Sequence, residues 1–197
     1  MLRVGLTGNI GSGKTVTAKV FSSLGIPVFH ADHEARTLLN NDRIKNKIRL
    51  IFGDHVFSPS GEIIRPVLAD IVFTNPSLLE KLNSIIHPEV RNNYRQWCLQ
   101  HRDSAYTLYE AAILFESGHY KEMDKIICVI ASEKLRISRV MERDGLSRQE
   151  VESRITNQWP EEKKVDLADF IIKNDESDSV ILQVMEIHKK LISKYGK

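Results

Sequence analysis

The sequence predicts an α/β fold of three layers, in which helices cover both faces of a parallel five-stranded sheet, with a helical insertion and a helical lid added to it. Three observations carry that expectation. Short β-rich apolar runs alternate with helical patterns along the chain, which implies parallel strands joined by right-handed crossovers. Runs such as "IICVIA" are apolar at every position, as strands covered on both faces must be. The intervals are uneven: about 20 residues separate the first two runs and about 75 the second and third, whereas a crossover needs only about 10–12.

Taken in order, the strands are "LRVGLT" (2–7), "IPVFH" (26–30), "YTLYEA" (106–111), "KIICVIA" (125–131) and "DFIIK" (169–173). The first leads into a glycine-rich stretch and then a helix, "KTVTAKVFSSL". The long interval holds several more helical patterns. "NDRIKNKIRLIF" places Ile44, Ile48 and Ile51 on one face, and "RPVLADIVF" opens with Pro66 near its first turn. "NPSLLEKLNSII" starts with Asn75 as N-cap and Pro76 at the first helical position. His87-Pro88 is expected to break that helix, because the residue before a proline is pushed out of the α region. "PEVRNNYRQWCLQ" then starts another. A second surplus region, about 132–168, is charged and helical. The chain closes on "SDSVILQVMEIHKKLI", where Val180, Val184, Ile187 and Leu191 form one apolar stripe. These spans describe a single domain, 1–197, with a core (about 1–32, 104–135 and 165–197), an insertion (about 33–103) and a lid (about 136–164).

Composition excludes several function classes. With 197 residues, 42% of them hydrophobic and 27% charged, the chain can bury one sizeable core. No run approaches the roughly 18 apolar residues of a membrane helix, and "MLRVGL" enters a strand pattern with no room for a signal peptide. Cys98 and Cys128 lie inside apolar runs and read as buried thiols of a reducing compartment. A net charge of +2 gives no argument for nucleic acid. The expectation is a cytoplasmic protein with small-molecule partners and neither nucleic-acid nor membrane partners. The sequence leaves oligomeric state open, and a monomer would suffice.

The chemistry begins at Gly8-Asn9-Ile10-Gly11-Ser12-Gly13-Lys14-Thr15, which fits G-x-x-x-x-G-K-[ST] at every fixed position. Glycines let such a loop curl so that backbone N–H groups point at phosphate oxygens. The loop ends at a helix N-terminus, where unpaired N–H groups and the dipole favour an anion. Lys14 is expected to reach the β- and γ-phosphates, and the Thr15 hydroxyl to ligate Mg²⁺. With the strand pattern, this motif predicts a P-loop NTPase fold and a nucleotide triphosphate as ligand.

The acceptor is read from elsewhere. A guanine-reading N-K-x-D is absent, since "NKIR" at 46–49 lacks the Asp and lies on a helix. In open parallel sheets ligands bind at the C-terminal ends of the strands, and after the second strand the sequence reads "HADHEA". Asp32 there is placed to accept a proton from an acceptor hydroxyl, or else to cap the following helix. Arg136, Arg139 and Arg143 recur at helical spacing. Like charges on one side of a helix repel, so the three suggest an anion gathering them, as a lid would. The other reading is a solvated face with ordinary Glu133–Arg136 and Arg139–Glu142 pairs.

Together these motifs resemble the dephospho-CoA kinase family over about residues 3–190. The resemblance rests on "GLTGNIGSGKT", on "ADHEAR" (31–36) beside the family's D-A-D-x-x-A-R, and on "LNSIIHPEVR" (82–91). It continues in "AILFES" (112–117) beside P-L-L-F-E, "SRVMERDGLSRQEVESRITNQ" (138–158), and "LADFIIKND" (167–175) beside A-D-x-x-I-x-N. The resemblance implies transfer of the γ-phosphoryl group of ATP to the ribose 3′-hydroxyl of dephospho-CoA, with Mg²⁺. It implies that Gly8 and Gly11 to Val16 (Gly11, Ser12, Gly13, Lys14, Thr15, Val16) hold the nucleotide phosphates and that Asn174 contacts the nucleotide. It aligns Asp32 with the general base, Lys14, Arg139 and Arg143 with the catalytic cations, and His87 and Arg91 with the acceptor-binding lobe. For His87 and Arg91 the plain alternative is a helix-start histidine and a surface arginine.

One departure stands out. The first carboxylate of D-A-D is His30 here, while Glu110 ends the third strand where the family usually has a small or apolar residue. Either Glu110 supplies the missing carboxylate, orienting Mg²⁺ waters or the acceptor, or neither position is essential. Two other functions remain open from the sequence. A nucleoside or nucleoside-monophosphate kinase would have a shorter acceptor lobe, and a non-catalytic nucleotide switch would lack the base and the lid arginines.

Overall fold

The computed structural model describes residues 1–195. Five strands, β1 (Leu2–Thr7), β2 (Val28–His30), β3 (Tyr106–Glu110), β4 (Lys125–Ile130) and β5 (Phe170–Lys173), form a sheet in the order β2-β3-β1-β4-β5 with every neighbouring pair parallel. The first two strands of the chain are therefore not neighbours, because β3 lies between them. β2 is two residues shorter than the apolar run at 26–30. Pro27 has no N–H to give the ladder, although its carbonyl accepts from Leu108 N at 2.9 Å.

The chain divides into two compact units, one of Met1–His30 with the segment from Cys98 onward, the other Ala31–Trp97. The first holds the sheet with α1 (Lys14–Ser23), α6 (Glu133–Asp144), α7 (Arg148–Thr156), α8 (Glu161–Asp166) and α9 (Val180–Tyr195). Its core joins Val4, Leu6, Leu108, Ile127, Val129 and Ile172 of the sheet to Ala18 and Phe21 of α1 and Val184, Ile187 and Leu191 of α9. Three members of the stripe on the last helix are thus buried, with Val180 partly covered at its start, each fully covered side chain contributing about 1.5–3 kcal/mol. Gly5 serves packing rather than phosphate: a Cβ there would lie 2.6 Å from Leu114 Cδ2. Cys98 and Cys128 are both free and buried, and burial pushes the Cys128 thiol up to about 12.

The second unit is helical: α2 (Ala31–Leu38), α3 (Asp42–Phe52), α4 (Arg65–Thr74) and most of α5 (Pro76–Gln100). On α3 the buried arc runs from Ile44 through Ile48 and Phe52 to Lys45, whose ammonium exits to Glu62 at 2.7 Å. Ile51, expected inside, falls on the outer flank of Ile44 and is exposed. Asn75 caps α5 as its sequence suggests, its Oδ1 accepting from Ser77 N and Leu78 N.

The expected break at His87-Pro88 does not occur. Pro88 lies inside one continuous helix. A proline in a helix interior removes one hydrogen bond and costs about 3 kcal/mol. Here Ile85 and Ile86 before it and Val90 and Tyr94 after it are all buried, and their packing outweighs the local preference. Among the described residues no helix is long and apolar enough to cross a membrane. Restoring an N–H at position 88 with Pro88→Ala should raise the unfolding free energy by on the order of 1–3 kcal/mol, read as a shift of the urea midpoint at constant m-value.

Candidate active site

Parallel strands end together, so one edge of the sheet collects the ends of all five. β1 runs into the loop Gly8–Gly13, and α1 starts at Lys14. Gly13 occupies the N-cap in the left-handed region (φ 95°), with no side-chain cap and no acidic residue in the first turn. With no side chain capping it, the start of α1 keeps the positive end of the helix dipole for an anion. A Cβ on Gly13 would sit 2.0 Å from Asn174 Nδ2, and one on Gly11 (φ 79°) 2.4 Å from the Arg136 carbonyl. Nothing but glycine fits either place. Lys14 Nζ turns back to the Gly8 carbonyl at 2.9 Å and the Asn9 carbonyl at 3.3 Å. Thr7 Oγ1, Asn9 Oδ1 and Ser12 Oγ are buried around the loop without a hydrogen-bond partner, the mark of a polar cradle that fits phosphate oxygens.

From β5, Asn174 follows directly and donates through Nδ2 to the Ser12 carbonyl at 2.8 Å, while its own carbonyl accepts from Arg139 Nη1 at 3.0 Å. The three arginines of α6 do not gather at one point. Arg136 is buried with Nε on the Ala131 carbonyl (3.0 Å) and with Glu133 and Glu161 each 3.8 Å away. Arg143 lies two turns further along, about 10 Å, and grips Asp144 through two bonds of 2.7 and 2.8 Å. Helical spacing put Arg136 and Arg143 on one side but at different heights.

Glu110 ends β3 in register with Leu6 of β1 on one side and His30 of β2 on the other. It is buried, and both its oxygens are engaged. Oε1 accepts from the Thr15 hydroxyl at 3.3 Å, and Oε2 accepts from His30 Nδ1 at 2.6 Å. That donation leaves the lone pairs of Thr15 Oγ1 for a cation. One hydroxyl and one carboxylate form the small donor set that Mg²⁺ uses beside substrate phosphates, so these residues fit the ion.

Asp32 is the second residue of α2, which begins at Ala31 immediately after β2. It is exposed and lies in the first turn of α2. His87 and Arg91, one turn apart on α5 in the Ala31–Trp97 unit, are mid-helix. Burial first, and then the Arg91 charge, hold His87 below its usual range, which keeps it neutral at pH 7.

A second set of residues surrounds the loop; Glu116 and Gln158 lie within segments that carry the family resemblance, but neither was singled out there. Gln158 Oε1 accepts from Ile10 N at 2.8 Å, and the Trp159 carbonyl accepts from Asn9 Nδ2 at 3.3 Å. Trp159 N and the fully buried Lys164 Nζ both bond Glu116 Oε1, at 2.9 and 2.8 Å. A lone glutamine in a charged helical stretch carries no chemical signature, and only the fold brings it to the loop.

A parallel sheet in this order, with a glycine loop leaving its middle strand and a lysine and a hydroxyl opening the next helix, defines a P-loop protein of the kinase type. A shikimate kinase from Acinetobacter baumannii shares that fold (TM-score 0.54, 16% identity, covering 100% of this chain and 96% of that one). Within the class the chain belongs to the dephospho-CoA kinase family, whose model matches residues 2–179. It is similar to dephospho-CoA kinases of Bacteroides fragilis (34% identity over 195 residues, 98% of this chain and 94% of the relative) and Chlorobaculum tepidum (37% over 201 residues, 98% and 96%). Among solved structures it resembles the dephospho-CoA kinase from Campylobacter jejuni (TM-score 0.68, 26% identity, 98% of each chain).

The lowered His87 has a consequence for stability. An unfolded chain binds this proton near pH 6.5, and the folded one only at lower pH. Between those values the unfolded state holds more protons, so acidification favours unfolding. Relative to His87→Gln, the wild-type protein should lose unfolding free energy as pH falls from about 7.5 to about 5.5. Parallel curves for the two proteins would contradict this.

Proposed function

We propose that this protein transfers the γ-phosphoryl group of ATP to the ribose 3′-hydroxyl of dephospho-CoA. The observation that carries the reading is the hydrogen-bonded chain His30–Glu110–Thr15 at the mouth of an uncapped phosphate loop, in a member of the dephospho-CoA kinase family. Amides from Gly11 to Val16 bind the triphosphate, Gly8 lets the loop curl, and the Ser12 hydroxyl has an oxygen to spare. Lys14 keeps two of its protons on the loop carbonyls and turns the third to the β- and γ-phosphates. Thr15 would hold Mg²⁺, with Glu110 orienting its water ligands. The ion supplies charge neutralisation of the leaving ADP. Asn174 contacts the nucleotide beside Gly13, and Arg139 and Arg143, on the lid of about 136–164, stabilise charge on the transferring group.

Asp32, two residues beyond the end of β2, takes the proton of the acceptor hydroxyl. A carboxylate in this role typically contributes about 10²–10⁴-fold. The helical unit Ala31–Trp97 binds the acceptor, with His87 as a neutral hydrogen-bonding group and Arg91 as the partner of an anionic acceptor group. The protein acts on small molecules in the cytoplasm, without nucleic acid.

Steady-state ADP release with dephospho-CoA against a panel of nucleosides tests the acceptor. Turnover with dephospho-CoA alone is expected, turnover with a nucleoside alone would identify a nucleoside kinase, and none with any acceptor would identify a switch. Asp32→Asn should lower kcat by about 10²–10⁴-fold while ATP affinity, measured by calorimetry, persists. Loss of ATP binding in that variant would make the residue structural instead. Glu110→Gln should raise the Mg²⁺ concentration needed for half-maximal turnover and weaken Mn²⁺ binding to the ADP complex. Wild-type behaviour at limiting metal would remove Glu110 from the metal site.

A further inference from the structure

The rim of the phosphate loop is held from outside it. The peptide joining Asn9 to Ile10 precedes the amides proposed to hold phosphate, and both of its polar groups are engaged. Its N–H goes to Gln158 Oε1 at 2.8 Å. Its carbonyl accepts from Ser12 N at 3.1 Å and from Lys14 Nζ at 3.3 Å. Gln158, that one peptide plane and the Lys14 ammonium therefore form a continuous chain of hydrogen bonds. Turning the plane would carry the carbonyl away from Lys14 and break all of them at once.

Gln158 is itself anchored. It lies in the short linker between α7 and α8, where the next residue, Trp159, is fixed through its N–H to Glu116 and its carbonyl to Asn9 Nδ2. Glu116 in turn holds the fully buried Lys164 of α8 at 2.8 Å, and Lys164 also reaches the Ala112 carbonyl at 3.3 Å. Breaking such a buried pair is costly because it strands an unpaired charge. The linker is thus a rigid support from which one side-chain amide reaches the loop.

We propose that Gln158 is a positioning residue for phosphoryl transfer, fixing the Asn9–Ile10 peptide plane and, through its carbonyl, the lysine that meets the terminal phosphate. This rests on the phosphate-loop reading above and extends it to a residue that touches neither substrate. ADP is held by several amides from Gly11 onward with Lys14 as one contact among them, whereas transfer needs Lys14 and the γ-phosphate in line. A misplacement of about 1 Å can cost on the order of 10²-fold in rate. The loss of Gln158 should therefore appear in kcat and leave ADP affinity in place.

The test compares wild type with Gln158→Met, which keeps side-chain length but has no acceptor, and with Gln158→Glu, which keeps an acceptor. For the methionine variant kcat should fall about 10–100-fold, the Kd of Mg·ADP should stay within about threefold, and hydrogen exchange at the Ile10 amide should quicken. The glutamate variant should restore the protection of that amide. Wild-type kcat in Gln158→Met would overturn the proposal. So would a joint fall of kcat, ADP affinity and melting temperature, which marks a merely structural residue. Failure of the wild-type protein to bind Mg·ADP would instead overturn the phosphate-loop reading itself.

Discussion

A parallel sheet delivers every strand end to one edge, and the arrangement at this site follows from that constraint. β1 contributes the loop, β3 contributes Glu110, β2 contributes His30, β4 leads to Arg136, and β5 leads to Asn174. None of these residues is near another in sequence, yet register alone places His30 beside Glu110 and Glu110 beside Leu6. The same constraint explains why the loop leaves from β1. It is the middle strand, with connections departing to either side, and the crevice that opens there is where open α/β sheets bind ligands.

The electrostatics of that edge are balanced locally. Gly13 gives α1 no side-chain cap, so the helix presents the positive end of its dipole. Lys14 adds a full charge, which the loop carbonyls hold. A buried carboxylate close to an anion-binding loop would be unfavourable if its oxygens faced nothing. Glu110 avoids this by accepting one bond from Thr15 and one from His30. A histidine is well suited to the second task, since it donates a proton in either protonation state.

Much of the fold was legible in the sequence, for reasons that differ by residue. The glycine loop was readable because its motif fixes Gly8 and Gly13, and in the fold the Arg136 carbonyl and the Asn174 side chain leave no room for a Cβ at Gly11 or Gly13. The strands and the stripe Val184, Ile187, Leu191 were readable because burial imposes period and composition. Pro88 misled, since a local backbone rule was outweighed by the packing of Ile85, Ile86, Val90 and Tyr94. Ile51 misled because the buried arc of α3 is centred on Ile48 and Phe52. At the site, His30 and Glu110 could each be singled out as unusual, but their contact depends on β3 lying next to β2, which spacing does not reveal. Gln158 lay at the end of a segment that carries the resemblance, but its contact, like that of Lys164, comes only from what the fold sets opposite it.

The central claim is that the loop and first-turn amides from Gly11 to Val16 are the seat of a nucleotide's phosphates. The most direct measurement is the amide spectrum of ¹⁵N-labelled protein titrated with Mg·ADP. Saturable downfield shifts centred on Gly11 to Val16, with the Asn174 side-chain amide following them, are the predicted result. Saturable binding that leaves those amides unmoved would contradict the account.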